Sequence, residues 1–196
     1  YLIEFRFFGK AKGEAKKLIW DINRNCYIRP AHRPVPHVTL VGPFITRNQN
    51  KLISDFKKLC EKYGVMKYRV VGFNTFEDNR VVYIDINPNE KLDEFRWELA
   101  NVLRPYCYLK QYDLQRKFEF HATVAMKLTP DKLKCIKNYI KKKAKPDYKH
   151  IMLRVTIIKD SKILYEYDFM LKRVLKRREA KSWTVLTQTF KALENY

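Results

Sequence analysis

The sequence predicts an α+β, bilobal fold on three observations. The order strand, helix, His-x-Thr strand, helix, strand runs twice along the chain, by pattern rather than by identical residues. The two His-x-Thr segments, His37-Val38-Thr39-Leu40 and His121-Ala122-Thr123-Val124, start 84 residues apart in apolar runs of similar character. At 196 residues, 46% of them hydrophobic, the chain can bury one sizeable core or two small lobes sharing one. Two related lobes about a pseudo-two-fold axis would each give one His-x-Thr strand to the cleft between them.

Tyr1 to Phe8 alternates aromatic and branched residues with charges, as a strand does, and Gly9 with Gly13 marks the turn after it. Ala15, Leu18, Ile19, Ile22 and Cys26 then fall on one helical face, opposite Lys16, Lys17 and Arg24. The proline-rich stretch Arg29 to Pro36 must be non-helical, and it delivers the chain into the first His-x-Thr strand, which stops at Gly42-Pro43. Leu52, Phe56, Leu59, Cys60 and Tyr63 carry a second amphipathic helix, with Gly64 as its expected C-cap. Met66 to Phe73 and Val81 to Ile86 flank the turn-rich Asn74 to Asn79 as an antiparallel hairpin. A helix with Leu92, Phe95, Leu99 and Val102 inward starts near Asn89 and is closed by Pro105.

The second His-x-Thr strand is expected from about Phe118 to Leu128, followed by a helix with Thr129 as N-cap and Pro130 at N1. Tyr148 to Ile158 and Ile163 to Leu171 make a closing hairpin. Residues 172 to 196 lie beyond this pattern and read as a basic, helical C-terminal extension to a domain over 1 to 171. Trp183, Leu186, Phe190 and Leu193 form a single apolar stripe there. The chain's own body is its expected cover, in a monomer, and a second subunit is the alternative.

Cys26, Cys60, Cys107 and Cys135 show no zinc-type or Cys-x-x-Cys spacing, and buried free thiols are expected. No run approaches the roughly 18 apolar residues of a membrane span, and the first residues lack a secretory apolar region, so a soluble, cytoplasmic protein is expected, with no membrane partner. The chain starts on Tyr1 rather than methionine, so native residues upstream of it are expected. Forty-one lysines and arginines against 21 acidic residues give a net charge of +20, which points to a polyanionic partner. Basic residues cluster between Lys132 and Lys149 and between Lys172 and Lys181.

In a strand, a spacing of two puts histidine and threonine on the same face. One such motif is a common accident. Two, carried by two of only four histidines, offer a pair of imidazoles for proton transfer and a pair of hydroxyls for an oxyanion, which suits chemistry at phosphorus without a metal. His32, in the proline loop, reads as a solvent-exposed position, and His150 has no partner motif.

Pro36-His37-Val38-Thr39-Leu40-Val41-Gly42-Pro43-Phe44 and Phe120-His121-Ala122-Thr123-Val124 resemble the two motifs of the 2H phosphoesterase superfamily, in its 2′-5′ RNA ligase (LigT-like) branch. The resemblance covers about residues 1 to 171. It implies a bilobal α+β fold of mainly antiparallel sheet and cofactor-free, metal-independent opening of RNA 2′,3′-cyclic phosphate ends, with 2′-5′ ligation as the reverse activity. It also implies a catalytic set of His37, Thr39, His121 and Thr123, with one histidine as base and the other as acid. His121 is the expected base and His37 the expected acid, although the two exchange roles when the reaction runs backwards. Many relatives carry an arginine five residues after the second histidine; here that place holds Met126, with Lys127 next. Lys127 and Phe44 are the candidate substrate-binding residues, Phe44 by stacking a base at the cleft mouth, with core packing the commoner role of any one aromatic ring. Two other readings remain: a phosphodiesterase of a small cyclic nucleotide or ADP-ribose cyclic phosphate, and an RNA-binding protein without turnover.

Overall fold

Nine of the strands form one continuous sheet, and the two His-x-Thr strands lie side by side at its centre. The computed structural model describes residues 1–29 and 35–196; His32 and most of the proline-rich loop lie outside the described residues. In chain order the elements are β1 (Leu2–Arg6), α1 (Gly9–Cys26), β2 (His37–Val41), β3 (Ile45–Thr46), α2 (Gln49–Lys62), β4 (Met66–Phe76), β5 (Val81–Pro88), α3 (Glu90–Leu103) and β6 (Cys107–Tyr108). A 3-10 turn (Gln111–Leu114) precedes β7 (His121–Ala125), α4 (Pro130–Lys141), β8 (Tyr148–Met152), β9 (Arg154–Lys159), β10 (Lys162–Asp168), β11 (Arg173–Lys176), α5 (Arg177–Ala180) and α6 (Trp183–Glu194).

The sheet order is β11-β10-β9-β1-β2-β7-β5-β4-β8, with β3 and β6 paired separately. Every pairing is antiparallel. The boundary between lobes falls at β2–β7, where Val38 pairs with Ala122. The lobes are exchanged in chain order. β4, which follows the first motif, pairs with β5 in the second lobe, whereas β9, which follows the second motif, pairs with β1 in the first.

The core lies between one face of this sheet and helices α1 to α4. Val38 and Leu40 of β2 and Ala122 and Val124 of β7 point into it, buried, which leaves His37, Thr39, His121 and Thr123 on the opposite face. Side-chain caps fix three of these helices: Asn48 accepts from Lys51 N, Asn89 from Leu92 N and Thr129 from Lys132 N. The apolar stripes are as the sequence predicts, for instance Leu52, Phe56, Leu59 and Cys60 on α2.

Several expectations are corrected. Gly9 and Gly13 lie inside α1 rather than in a turn before it. The α2 cap is Tyr63 in an extended conformation, not Gly64 in a left-handed one. β7 is only five residues long, His121–Ala125, rather than running from Phe118 to Leu128. Cys26 and Cys135 form a disulfide that joins α1 to α4, while Cys60 and Cys107 are free and buried.

The largest correction concerns the C-terminus. Arg173–Lys176 is a strand paired with β10, so 172 to 196 is part of the domain rather than an extension beyond residue 171. α6 is held by a polar anchor as well as by part of its apolar stripe, where Phe190 packs edge-on against Phe8 while Trp183 stays exposed. Thr189 is its buried residue; its hydroxyl lies 2.5 Å from both Arg154 and Asp168, and Arg154 also binds Asp168 and Glu166. Thr156 pairs with Glu4 and with Glu166, and alternation puts Arg154 on that same face. α6 therefore covers the outer part of the His-x-Thr face of the first lobe.

Candidate active site

The pairing of Val38 with Ala122 places the four motif side chains at the corners of one patch. In an antiparallel ladder, the residues flanking that pair oppose each other crosswise, His37 against Thr123 and Thr39 against His121. The two motifs thus face one another, and each histidine has the other motif's threonine as its cross-strand neighbour.

Both imidazoles are oriented in the same way. Nδ1 of His37 lies 2.8 Å from the carbonyl of Val35, and Nδ1 of His121 lies 2.8 Å from the carbonyl of Glu119, in each case two residues upstream. A carbonyl only accepts, so both Nδ1 atoms carry the proton and Nε2 is the titrating atom. Among the described residues, neither Thr39 nor Thr123 has a protein partner for its hydroxyl, which leaves both free for an anionic oxygen.

What surrounds Nε2 differs. Glu4, the register partner of Thr39, is buried and bridges Arg6, at 2.8 Å, and His37, whose Nε2 lies 3.6 Å from the second carboxylate oxygen. That carboxylate is a counter-charge for a protonated His37. At the equivalent place in the second lobe, the register partner of Thr123 is Tyr83. The rings of Tyr83 and Phe76 pack edge-on against His121, with centroids 5.3 and 5.0 Å away. Burial among them pushes the His121 imidazole below its ordinary range, and the nearby His37 adds to that shift.

Buried Arg96 of α3 fixes β2 relative to the approach to β7. Its guanidinium donates to the carbonyls of Leu40, Gln115, Tyr112 and Asp113, and its ring neighbour is Phe118. Burial lowers its pKa to about 10. Gly42 N donates to Asp113 and the Tyr112 hydroxyl donates to Gly42 O, tying the end of β2 to the same segment. Gly42 has φ +113, and a Cβ there would meet the Phe44 ring at 3.0 Å, so the position needs glycine.

Neither candidate substrate-binding residue joins this patch. Phe44 is 3% exposed and stacks on Tyr1, so of its two expected roles the ring takes core packing and is not a platform for a base. Lys127 is exposed at φ 53, beyond the end of β7, and strand alternation does not reach it. His150 bonds the carbonyl of Phe8 and packs on Tyr68.

Glu4, Tyr83 and Arg96 were missed by the sequence reading. Glu4 had a signal, since it alternates with Leu2 and Arg6 on one face of β1. That pattern implies solvent unless the strand is known to be central.

A family model for the 2′-5′ RNA ligase superfamily matches residues 11–162. The chain belongs to that superfamily. Among solved structures it is similar to TT0787 of Thermus thermophilus, at 13% identity over 86% of this chain and 98% of that one, with a TM-score of 0.57. It is also similar to E. coli LigT complexed with 3′-AMP, at 17% identity over 89% and 91% of the two chains, with a TM-score of 0.50. At these identities the two structures bear on the fold, which is the mixed α+β, mostly antiparallel arrangement described above. No curated protein matches the sequence. Among the described residues, no helix of this superfamily member is long and apolar enough to cross a membrane.

Proposed function

We propose that the protein opens RNA 2′,3′-cyclic phosphate ends by two-histidine acid-base catalysis without a metal, and that an RNA 5′-hydroxyl can take the place of water to give 2′-5′ joining. The observation that carries this reading is the crosswise patch, with two Nε2 atoms and two unpartnered hydroxyls on one face. The superfamily supports the phosphoester class, and the 3′-AMP held by LigT is a ribose phosphate of the product type.

His121, held neutral by burial, takes a proton from water as the water attacks phosphorus. A P–O bond forms, and the P–O bond to one ribose oxygen breaks. His37, beside the Glu4 carboxylate, is the acid that gives that oxygen its proton. Thr39 and Thr123 hydrogen-bond the non-bridging oxygens as negative charge builds on them. The products are a ribose hydroxyl and a phosphate monoester. In joining, an RNA 5′-hydroxyl takes the place of water, so His121 stays the base toward the attacking oxygen and His37 the acid toward the ribose oxygen that leaves; the two exchange roles only when a 2′-5′ linkage is cleaved back to a cyclic end.

The test is incubation in EDTA with an oligonucleotide ending in a 2′,3′-cyclic phosphate, beside His37→Ala and His121→Ala. Opening by the unsubstituted protein alone is expected, and the position of the phosphate identifies the leaving oxygen. Opening by either variant at the full rate, or dependence on an added metal, would sink the mechanism. We place the activity in the cytoplasm, where thiol pools reduce most disulfides. The Cys26–Cys135 bridge lies between α1 and α4 on the far side of the sheet, so opening should proceed at the same rate with dithiothreitol.

A further inference from the structure

Two concavities flank the motif patch in equivalent places, and they carry opposite charge. One, of about 350 Å³, is lined by Asp85, the register partner of His121, by Glu119 just before it, and by Tyr83, Asn87 and Phe118. Its charged side chains are both acidic. The other, of about 530 Å³, includes Arg6, the register partner of His37, and Val35 and Pro36 just before it. Its wall also holds Lys12, Lys16, Lys181 and Trp183. Both volumes fall in the range of roughly 300–1,000 Å³ typical of small-ligand sites.

Charge within the basic concavity sorts into two groups. Arg6 is paired with Glu4, and Arg154 with Glu166 and Asp168. Lys12, Lys16 and Lys181 are exposed and have no carboxylate partner among the described residues. Trp183, beside them, is 76% exposed, although it is a large ring on a helix whose Thr189 is fully buried. An indole left open beside three unneutralised lysines is the pairing that single-stranded nucleic acid sites use, a stacking surface with phosphate-binding cations. Lys12 and Lys16 lie within the residues that match the superfamily, and Lys181 and Trp183 lie beyond residue 162, where that match ends.

We propose that the basic concavity holds the RNA chain 5′ of the reacting end, with Trp183 stacking a base and Lys12, Lys16 and Lys181 holding backbone phosphates. This deepens the proposed function and rests on it. Attacking and leaving oxygens lie roughly in line across phosphorus, and the leaving oxygen belongs to the ribose that carries the RNA. RNA on the basic side therefore puts the leaving oxygen at His37. The acidic concavity, which repels phosphate, is left as the path for water to His121. Charge asymmetry alone thus assigns the acid and the base that the proposed mechanism uses.

The experiment compares a nucleoside 2′,3′-cyclic phosphate with cyclic-ended oligonucleotides lengthened one nucleotide at a time on the 5′ side. In the unsubstituted protein kcat/KM should rise with length. Trp183→Ala should lose about ten-fold on the oligonucleotides and nothing on the mononucleotide. The exposed ring can be removed without opening the core, and the unchanged mononucleotide rate controls for folding. Replacing Lys12, Lys16 and Lys181 by glutamine should lower the slope of log affinity against log salt by about 2. Equal effects of Trp183→Ala on short and long substrates, or a length dependence left at full size when Trp183 and the three lysines are all replaced, would overturn the inference.

A second readout does not need turnover. With Trp20→Phe and Trp97→Phe, leaving Trp183 as the fluorophore, a single-stranded RNA without a cyclic end should quench the emission, less so in salt. Quenching in a protein that turns over neither substrate would sink the proposed reaction and leave the RNA site standing. Absence of quenching on RNA binding would sink the site, whatever the turnover.

Discussion

His37 and His121 share a backbone and differ in their company. Each follows a carbonyl that fixes Nδ1 and sits across from the other motif's threonine, so the repeated part is the part that aims Nε2. At equivalent register, β1 offers Glu4 and Arg6 where β5 offers Tyr83 and Asp85. One ring has a carboxylate within ion-pair distance, and the other is packed among aromatic rings. A symmetric frame with unlike neighbours decides which ring is the proton donor and which the acceptor, a choice that two identical sites would leave open.

The strongest test of that frame is removal of either imidazole. His37→Ala and His121→Ala should each lower kcat by roughly a hundred- to ten-thousand-fold, and the double variant should fall little further because the pair acts as a unit. Steady-state rates on a cyclic-ended oligonucleotide check this; full additivity would mean two independent roles. Thr39→Val and Thr123→Val should cost up to roughly a hundred- to a thousand-fold in kcat, by the loss of one oxyanion donor each. Single-turnover rates separate this from weaker binding.

Smaller effects address the difference between the copies. Glu4→Gln should lower kcat by about ten-fold and leave the acid limb of the pH profile in place, because that limb belongs to His121. The limb should lie below the ordinary imidazole pKa of about 6.5, since His121 must be neutral to act and burial keeps it so. Phe76→Ala, which opens the surroundings of that ring, should move the limb upward. A limb that responds to Glu4→Gln instead would exchange the two roles.

The smallest expected effect concerns stability. Burial also lowers the pKa of His150. Both depressed histidines stay neutral in the fold at pH values where the unfolded chain already binds protons. Their contribution is therefore complete above the unfolded value of about 6.5 and is lost as pH falls through the lower folded values. His150→Gln, which keeps a donor for the Phe8 carbonyl, should shrink the acid-induced drop in melting temperature, as calorimetry across that range would show.

Much of this was legible in the sequence for a local reason. Period-two spacing puts His37 with Thr39 and His121 with Thr123, and helical spacing and caps such as Thr129-Pro130 depend on residues a few positions apart. What escaped depends on partners far along the chain. Arg173–Lys176 has the composition of an exposed helix, and only the edge of β10 makes it a strand. Cys26 finds Cys135 at a separation of 109 residues, with no spacing signature to announce it. Phe44 follows the first motif, which suggests a place in the cleft, yet its position is decided by Tyr1. Glu4 shows the same limit at the site itself, where strand order turns an apparent surface charge into the neighbour of His37.

The exchange of β4 and β9 between lobes has a consequence for synthesis. As the chain leaves the ribosome, the first motif emerges well before β9, which flanks β1 on its other side and follows the second motif. The first lobe is then a partial sheet with an open edge until β9 has been made, a state that invites wrong pairing. Neither half of the chain, released alone, contains the strands of one complete lobe. A break between the motifs would leave two fragments that must find each other before either could hold a phosphate.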